Sequence, residues 1–107
     1  MNLFAKLAGP DINRLAKEAE ADPSIALIDV RTDEEYEAGH IPGSLHLELA
    51  KAEQLPGILP DKSRPLYVYC HSGMRSAQAC RIFQAIGYET VKNIGGIAAW
   101  NGALSKE

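Results

Sequence analysis

Apolar positions along the chain follow two rhythms, and the rhythms take turns. Ile12, Leu15, Ala16 and Ala19 recur at i, i+3, i+4 and i+7, with Asn13, Arg14, Lys17, Glu18 and Glu20 between them. That spacing predicts an amphipathic helix with Asp11 as its N-cap, suited to covering one face of a sheet. Ala21-Asp22-Pro23-Ser24 breaks it. Residues 25–30, Ile-Ala-Leu-Ile-Asp-Val, form a short, nearly unbroken apolar run bounded by turn residues. Such a run predicts a buried parallel strand.

Thr32-Asp33-Glu34-Glu35 has the spacing of a capping box, predicting a short helix over residues 33–38 that stops at Gly39. His40-Ile41-Pro42-Gly43-Ser44 reads as a turn, with His40 and Pro42 shaping it. Residues 45–47 predict a short strand, and residues 48–54 a weak helix ending before Pro56-Gly57. After a loop over 59–65, residues 66–69 predict a second buried strand. A helical pattern follows from Ser76 to Ile86 and ends at Gly87-Tyr88. Residues 90–94 predict a last strand, and Gly95-Gly96 leads into a short helix over 97–100. Strands alternating with helices imply crossover connections. The predicted fold class is α/β, a central, mostly parallel sheet flanked by helices on both faces.

At 107 residues the chain suffices for one domain, residues 1–107, with one core. The net charge of −3 supplies no electrostatic reason to expect nucleic acid or an anionic membrane as a partner. No stretch approaches the roughly 20 apolar residues of a membrane span. The first nine residues lack a charged region followed by a long apolar block, so no secretory leader is read there and a cytoplasmic location is expected. Cys70 and Cys80 are too few for a disulfide scaffold. His40, His46 and His71 are scattered, and there is no CxxC, so neither a metal site nor a cofactor is expected.

The candidate chemistry lies at Cys70-His71-Ser72-Gly73-Met74-Arg75-Ser76, between the second buried strand and a helix. Backbone N–H groups at a helix start lack internal partners, and the helix dipole is positive there. Such a place binds anions and lowers a thiol pKa. Cys70 is therefore the candidate nucleophile, held as a thiolate. Gly73 permits a sharp turn, and successive N–H groups can line an anion nest. Arg75 can add a fixed charge and a fork of donors. Ser72 and Ser76 can donate hydroxyls, and Ser76 could cap the helix. A buried structural cysteine is the bland alternative for a lone Cys; Gly73, Arg75 and Ser76 in the same junction weigh against it.

Four segments then resemble successive signatures of the single-domain rhodanese-like family. They are Asp29-Val30-Arg31, Glu35-Tyr36-Glu37-Ala38-Gly39-His40-Ile41-Pro42-Gly43-Ser44, the 70–76 loop, and Gly95-Gly96-Ile97-Ala98-Ala99-Trp100. The resemblance implies an α/β sandwich around a parallel sheet, and sulfurtransferase chemistry through a persulfide on Cys70. It implies a small sulfur-containing anion as substrate and a thiol, protein or cyanide as acceptor. Related families that handle phosphate or arsenate carry a loop one residue longer. The six-member loop from Cys70 to Arg75 should suit a single sulfur atom better.

Other residues have weaker claims. His71 invites a general-base role, but neighbours on a tight turn usually point apart. Cys80 lies ten residues on, about 15 Å along a helix at ~1.5 Å per residue, so packing is expected rather than a resolving thiol. Asp29 and Arg31 stand where a strand ends, and an ion pair bracing the loops is preferred over substrate contact. Trp100 is expected to pack, with its ring a candidate pocket wall. Two further functional classes compete with an active sulfurtransferase. One is a non-catalytic binding or regulatory module, which would be expected to lose the loop cysteine or arginine. The other is a sulfur carrier in a protein relay.

Overall fold

The computed structural model describes residues 9–107. The leader reading over the first residues falls mostly outside them. In chain order the elements are α1 (Ile12–Ala21), β1 (Ala26–Asp29), α2 (Asp33–Ala38), β2 (Leu45–His46), a 3-10 helix (Leu49–Gly57), β3 (Leu66–Cys70), α3 (Met74–Ala85), β4 (Val91–Gly96) and a 3-10 turn (Ile97–Ala99). Asp11 caps α1 through its side chain, which accepts from Asn13 and Arg14 N–H. Thr32 and Glu35 form the reciprocal capping box of α2.

The four strands are all parallel, in the order β2-β1-β3-β4. Successive side chains on a strand point to opposite faces, and two apolar layers result. Leu66, Val68 and Cys70 join Ile28, Ala79, Cys80 and Phe83 on the face covered by α3 and the 3-10 helix. Tyr67 and Tyr69 join Ile12, Leu15, Ala16 and Ile94 on the face covered by α1. This is the α/β sheet with both faces covered that the alternation of elements predicts. Connections leave β1 and β3 in opposite directions across the sheet, which makes their shared carboxyl edge a switch point. Ligand crevices of α/β sheets form at such a point.

Three boundaries differ from the pattern-based expectation. The 3-10 helix runs through Pro56-Gly57 instead of stopping before them. A 3-10 turn needs fewer backbone donors than an α-helix interior, so a late proline is tolerated. The helix after the cysteine begins at Met74, inside the expected loop, with Gly73 as N-cap and Ser76 already in its first turn. Gly95 and Gly96 lead into the 3-10 turn as expected, with Gly96 its N-cap, but they are also the last residues of β4, paired with Tyr69 and Cys70.

The β3–β4 register shifts between Val68 and Tyr69, skipping Ile94. This bulge re-aims the chain so that Gly95 and Gly96 run against the cysteine loop. Gly95 has φ +108°. A Cβ on Gly96 would enter the His71 carbonyl and lie 2.6 Å from Ser72 Cα, both main-chain atoms. Gly96→Ala is expected to destabilise the domain by about 1–3 kcal/mol through overpacking. A thermal or denaturant melt should show this, with a changed rate of Cys70 alkylation in the protein that remains folded.

Candidate active site

β3 ends at Cys70, and the chain turns at Gly73, φ 100° and ψ −7°, directly into α3. The sulfur consequently lies under the first turn of the helix. Gly73 N–H donates to Cys70 Sγ at 3.0 Å and the Ser76 hydroxyl lies 3.3 Å from it. Burial pushes the Cys70 thiol up. The Ser76 hydroxyl and the N–H groups of Ser76, Gly73 and Ser72 outweigh it, leaving the thiol below its ordinary value. Donors aimed at a sulfur stabilise its anion. Cys70 and Ser76 have no exposed surface, whereas Met74 is 77% exposed and His71 and Ser72 face solvent.

Arg75 does not offer its fork to the sulfur. Its Nη1 and Nη2 bind Glu35 Oε1 and Oε2 at 2.7 and 2.9 Å. Glu35 therefore caps α2 and ties α2 to the start of α3, a second duty that its place in the capping box does not reveal. The Arg75 guanidinium, opposed by partial burial and helped by the Thr32 N–H and hydroxyl, holds the Glu35 carboxyl down at about 2. The Arg75 charge still senses Cys70 through space.

Asp29 and Arg31 form a buried pair, with Arg31 Nη2 2.7 Å from Asp29 Oδ2. Arg31 N–H and Nε also donate to Asp29, and Nη2 reaches the Gly39 carbonyl at 2.7 Å. The pair braces the turn after β1 against the end of α2. His71 contributes its carbonyl, which accepts from Ala98 N–H at 3.1 Å and ties the loop to the chain after β4. His40 is buried, stacks on Tyr36 at 3.7 Å between ring centroids, and has Nδ1 2.9 Å from the Tyr36 carbonyl. Trp100 packs with the α1-side layer.

Cys80 packs in the core, the role expected of it. The helix starts at Met74, so Cys80 sits one turn beyond Ser76 and in the same apolar layer as Cys70. Burial pushes its thiol up to about 11, the opposite direction from Cys70. Pattern reading also misses Asn93. The β4 bulge brings its amide to Ser76 and Gly73, with Ser76 Oγ to Asn93 Oδ1 at 2.8 Å and Asn93 Nδ2 to the Gly73 carbonyl at 2.9 Å. A lone Asn in an apolar strand was the available signal. Two adjoining depressions of about 260 and 280 Å³ lie elsewhere, at the amino edge of the sheet around Ile25, Leu27, Gly43 and Arg64. Neither is lined by a cysteine.

The family model for the rhodanese-like domain matches residues 12–103. The chain belongs to the rhodanese-like family. This rhodanese-like domain is 39% identical over 88 residues to the putative sulfurtransferase YtwF of Bacillus subtilis, covering 82% of this chain and 84% of that protein. It is 38% identical over 71 residues to the thiosulfate sulfurtransferase PspE of Escherichia coli, covering 65% and 68%. It is 37% identical over 87 residues to the putative sulfur carrier protein YrkF of Bacillus subtilis. That match covers 80% of this chain but only 46% of YrkF, about half of its length. Among solved structures, a rhodanese with anions from E. coli superposes with a TM-score of 0.72 at 32% identity, over 78% of this chain and 99% of that one.

Two outcomes are expected at this site. Iodoacetamide should modify Cys70 ahead of Cys80 at neutral pH, read by peptide mapping, because only the Cys70 thiol is lowered. Glu35→Gln keeps the capping geometry and removes the charge on Arg75's partner. The folded Glu35 carboxyl lies below its ordinary 4.5. The ion pair's stabilisation is therefore complete above that value and is lost as pH falls toward about 2. Unfolding free energies from denaturant melts should differ by about 1 kcal/mol or less at pH ~7, since the pair is a third exposed. The difference should shrink as the buffer is acidified below pH ~4.

Proposed function

We propose that the protein is a single-domain, cytoplasmic sulfurtransferase of the thiosulfate type, acting through a persulfide on Cys70. The observation that carries the reading is the Cys70 sulfur cradled by the Gly73 N–H and the Ser76 hydroxyl at a helix start. Relatives named as sulfurtransferases, PspE among them, support the substrate class. Two free thiols suit a compartment that keeps cysteines reduced.

In the first half-reaction the Cys70 thiolate attacks the outer sulfur of thiosulfate. A Cys70 S–S bond forms, the sulfur–sulfite bond breaks, and sulfite leaves with the bonding pair. The negative charge passes to the outer persulfide sulfur. In the second, cyanide or a thiolate attacks that outer sulfur and takes it as thiocyanate or as a new persulfide. The Cys70 thiolate is regenerated. No oxidant or metal enters either step. Loop N–H groups stabilise anionic sulfur throughout, and Arg75 contributes a positive charge nearby. Asp29 and Arg31 act as supporting residues, bracing the turn after β1 against the end of α2.

A sulfur carrier in a protein relay is a second reading. The buried Cys70 beside the exposed Met74 favours it, because a docking protein could open the loop and take the sulfur directly. The putative sulfur carrier YrkF is among the relatives.

Intact mass after thiosulfate treatment tests the persulfide. The wild type should gain one sulfur atom and Cys70→Ser none. Initial rates with thiosulfate and cyanide should give parallel double-reciprocal lines, and intersecting lines would sink the covalent scheme. Arg75→Ala should slow the thiosulfate half-reaction by about tenfold or more. Sulfur gain with negligible cyanide turnover would favour the carrier, and no sulfur gain would favour a binding module.

A further inference from the structure

The Ser76 hydroxyl has one proton and two acceptors within reach. Asn93 Oδ1 is 2.8 Å away and Cys70 Sγ is 3.3 Å away. The Asn93 amide cannot flip to change this. Gly95 N–H, which can only donate, points at Oδ1 at 3.1 Å, and the Gly73 carbonyl, which can only accept, meets Nδ2 at 2.9 Å. Oδ1 is therefore held facing the buried Ser76 hydroxyl as an acceptor.

We propose that Asn93 is a positioning residue for Cys70, the competing acceptor that takes the Ser76 proton whenever the Cys70 sulfur is uncharged. In the thiol form Ser76 donates to Asn93 and presents a lone pair toward the sulfur. In the thiolate form the hydroxyl turns and donates to sulfur, leaving Asn93 Oδ1 to the Gly95 N–H. Ionising Cys70 thus breaks one hydrogen bond to make another. The inference rests on Cys70 being the reactive centre. When charge moves to the outer sulfur of a persulfide, the hydroxyl returns to Asn93.

Asn93 also holds the Gly73 carbonyl, but that carbonyl additionally accepts the Ala77 N–H at 3.2 Å, the first bond of α3. The loop therefore keeps an anchor without Asn93. Arg75 at the start of α3, with Glu35 of α2 behind it, and Cys80 further along α3 sense the Cys70 charge through space. The Asp29–Arg31 pair follows β1, and His71 is the exposed next residue of the loop. Substituting Asn93 leaves all of them in place.

The test is a pH titration of the ultraviolet thiolate absorbance of Cys70, taken as the difference from a Cys70→Ser background. It needs no substrate. Asn93→Leu has a similar branched shape and removes the acceptor. It should lower the Cys70 midpoint by about half a unit to one unit, the worth of one neutral hydrogen bond. Ser76→Ala should raise the midpoint, and Asn93→Leu added to Ser76→Ala should move it little. A raised or unchanged midpoint in Asn93→Leu, or an equal shift with and without Ser76, overturns the proposal. If Asn93→Leu does not fold, Asn93→Ala is read in the same way. Loss of fold in both makes Asn93 purely structural and also overturns the proposal. A wild type that gains no sulfur from thiosulfate, while the Asn93 shift persists, removes the proposed function and leaves this inference standing.

Discussion

The close approach of the end of β4 to the Cys70 loop is the constraint on which the site depends. β3 and β4 lie side by side through Cys70↔Gly96, and any side chain at Gly96 would occupy the His71 carbonyl. The bulge at Ile94 makes that approach compatible with a filled core, because Ile94 stays buried in the α1-side layer while Asn93 is aimed at the other face. Ala98 N–H then fastens to His71 O. A turn this tight forces α3 to begin at once, and an immediate helix start puts several N–H groups within reach of one sulfur. The anion-stabilising property is thus a consequence of strand register as much as of the loop's own residues.

Charge is arranged around the loop in pairs. Arg31 is buried and satisfied by Asp29, so it braces backbone and does not present a free cation. Arg75 is satisfied by Glu35, so its charge contributes at a distance while its fork ties α2 to α3. The groups that touch the sulfur are neutral dipoles, a peptide N–H and a hydroxyl. The Gly73 N–H is fixed by secondary structure and does not have to reorganise when the sulfur charges, whereas the Ser76 hydroxyl has a second acceptor in Asn93.

Much of the fold was legible from local rules. The Asp11 cap, the Thr32–Glu35 capping box, α2 over residues 33–38 and the order of strands depend on contacts a few residues apart, and the structure has them. Errors arose where a residue's role comes from a distant segment. Ser76 looked like an N-cap, but Gly73 turns earlier and leaves Ser76 inside the helix, facing sulfur. Gly95-Gly96 do lead into the 3-10 turn, but their second role, extending β4 against the cysteine loop, is not legible locally because that loop lies about 25 positions earlier in the chain. Arg75 looked free to face the sulfur, because nothing local indicates that Glu35 reaches it. Cys80 packs in the core as expected, and its sharing an apolar layer with Cys70 comes from α3 folding back over β3.

By itself the sequence determined the α/β class, the family, and the cysteine at a strand-to-helix junction. These follow from periodicity, caps and motif spacing, which are properties of neighbouring residues. Only the tertiary structure decided which donors reach the sulfur, which cations are already paired, and that Asn93 stands against Ser76. Those depend on the parallel register of β3 with β4 and on one skipped residue. A one-residue change of register turns a side chain to the other face, and no local pattern records it.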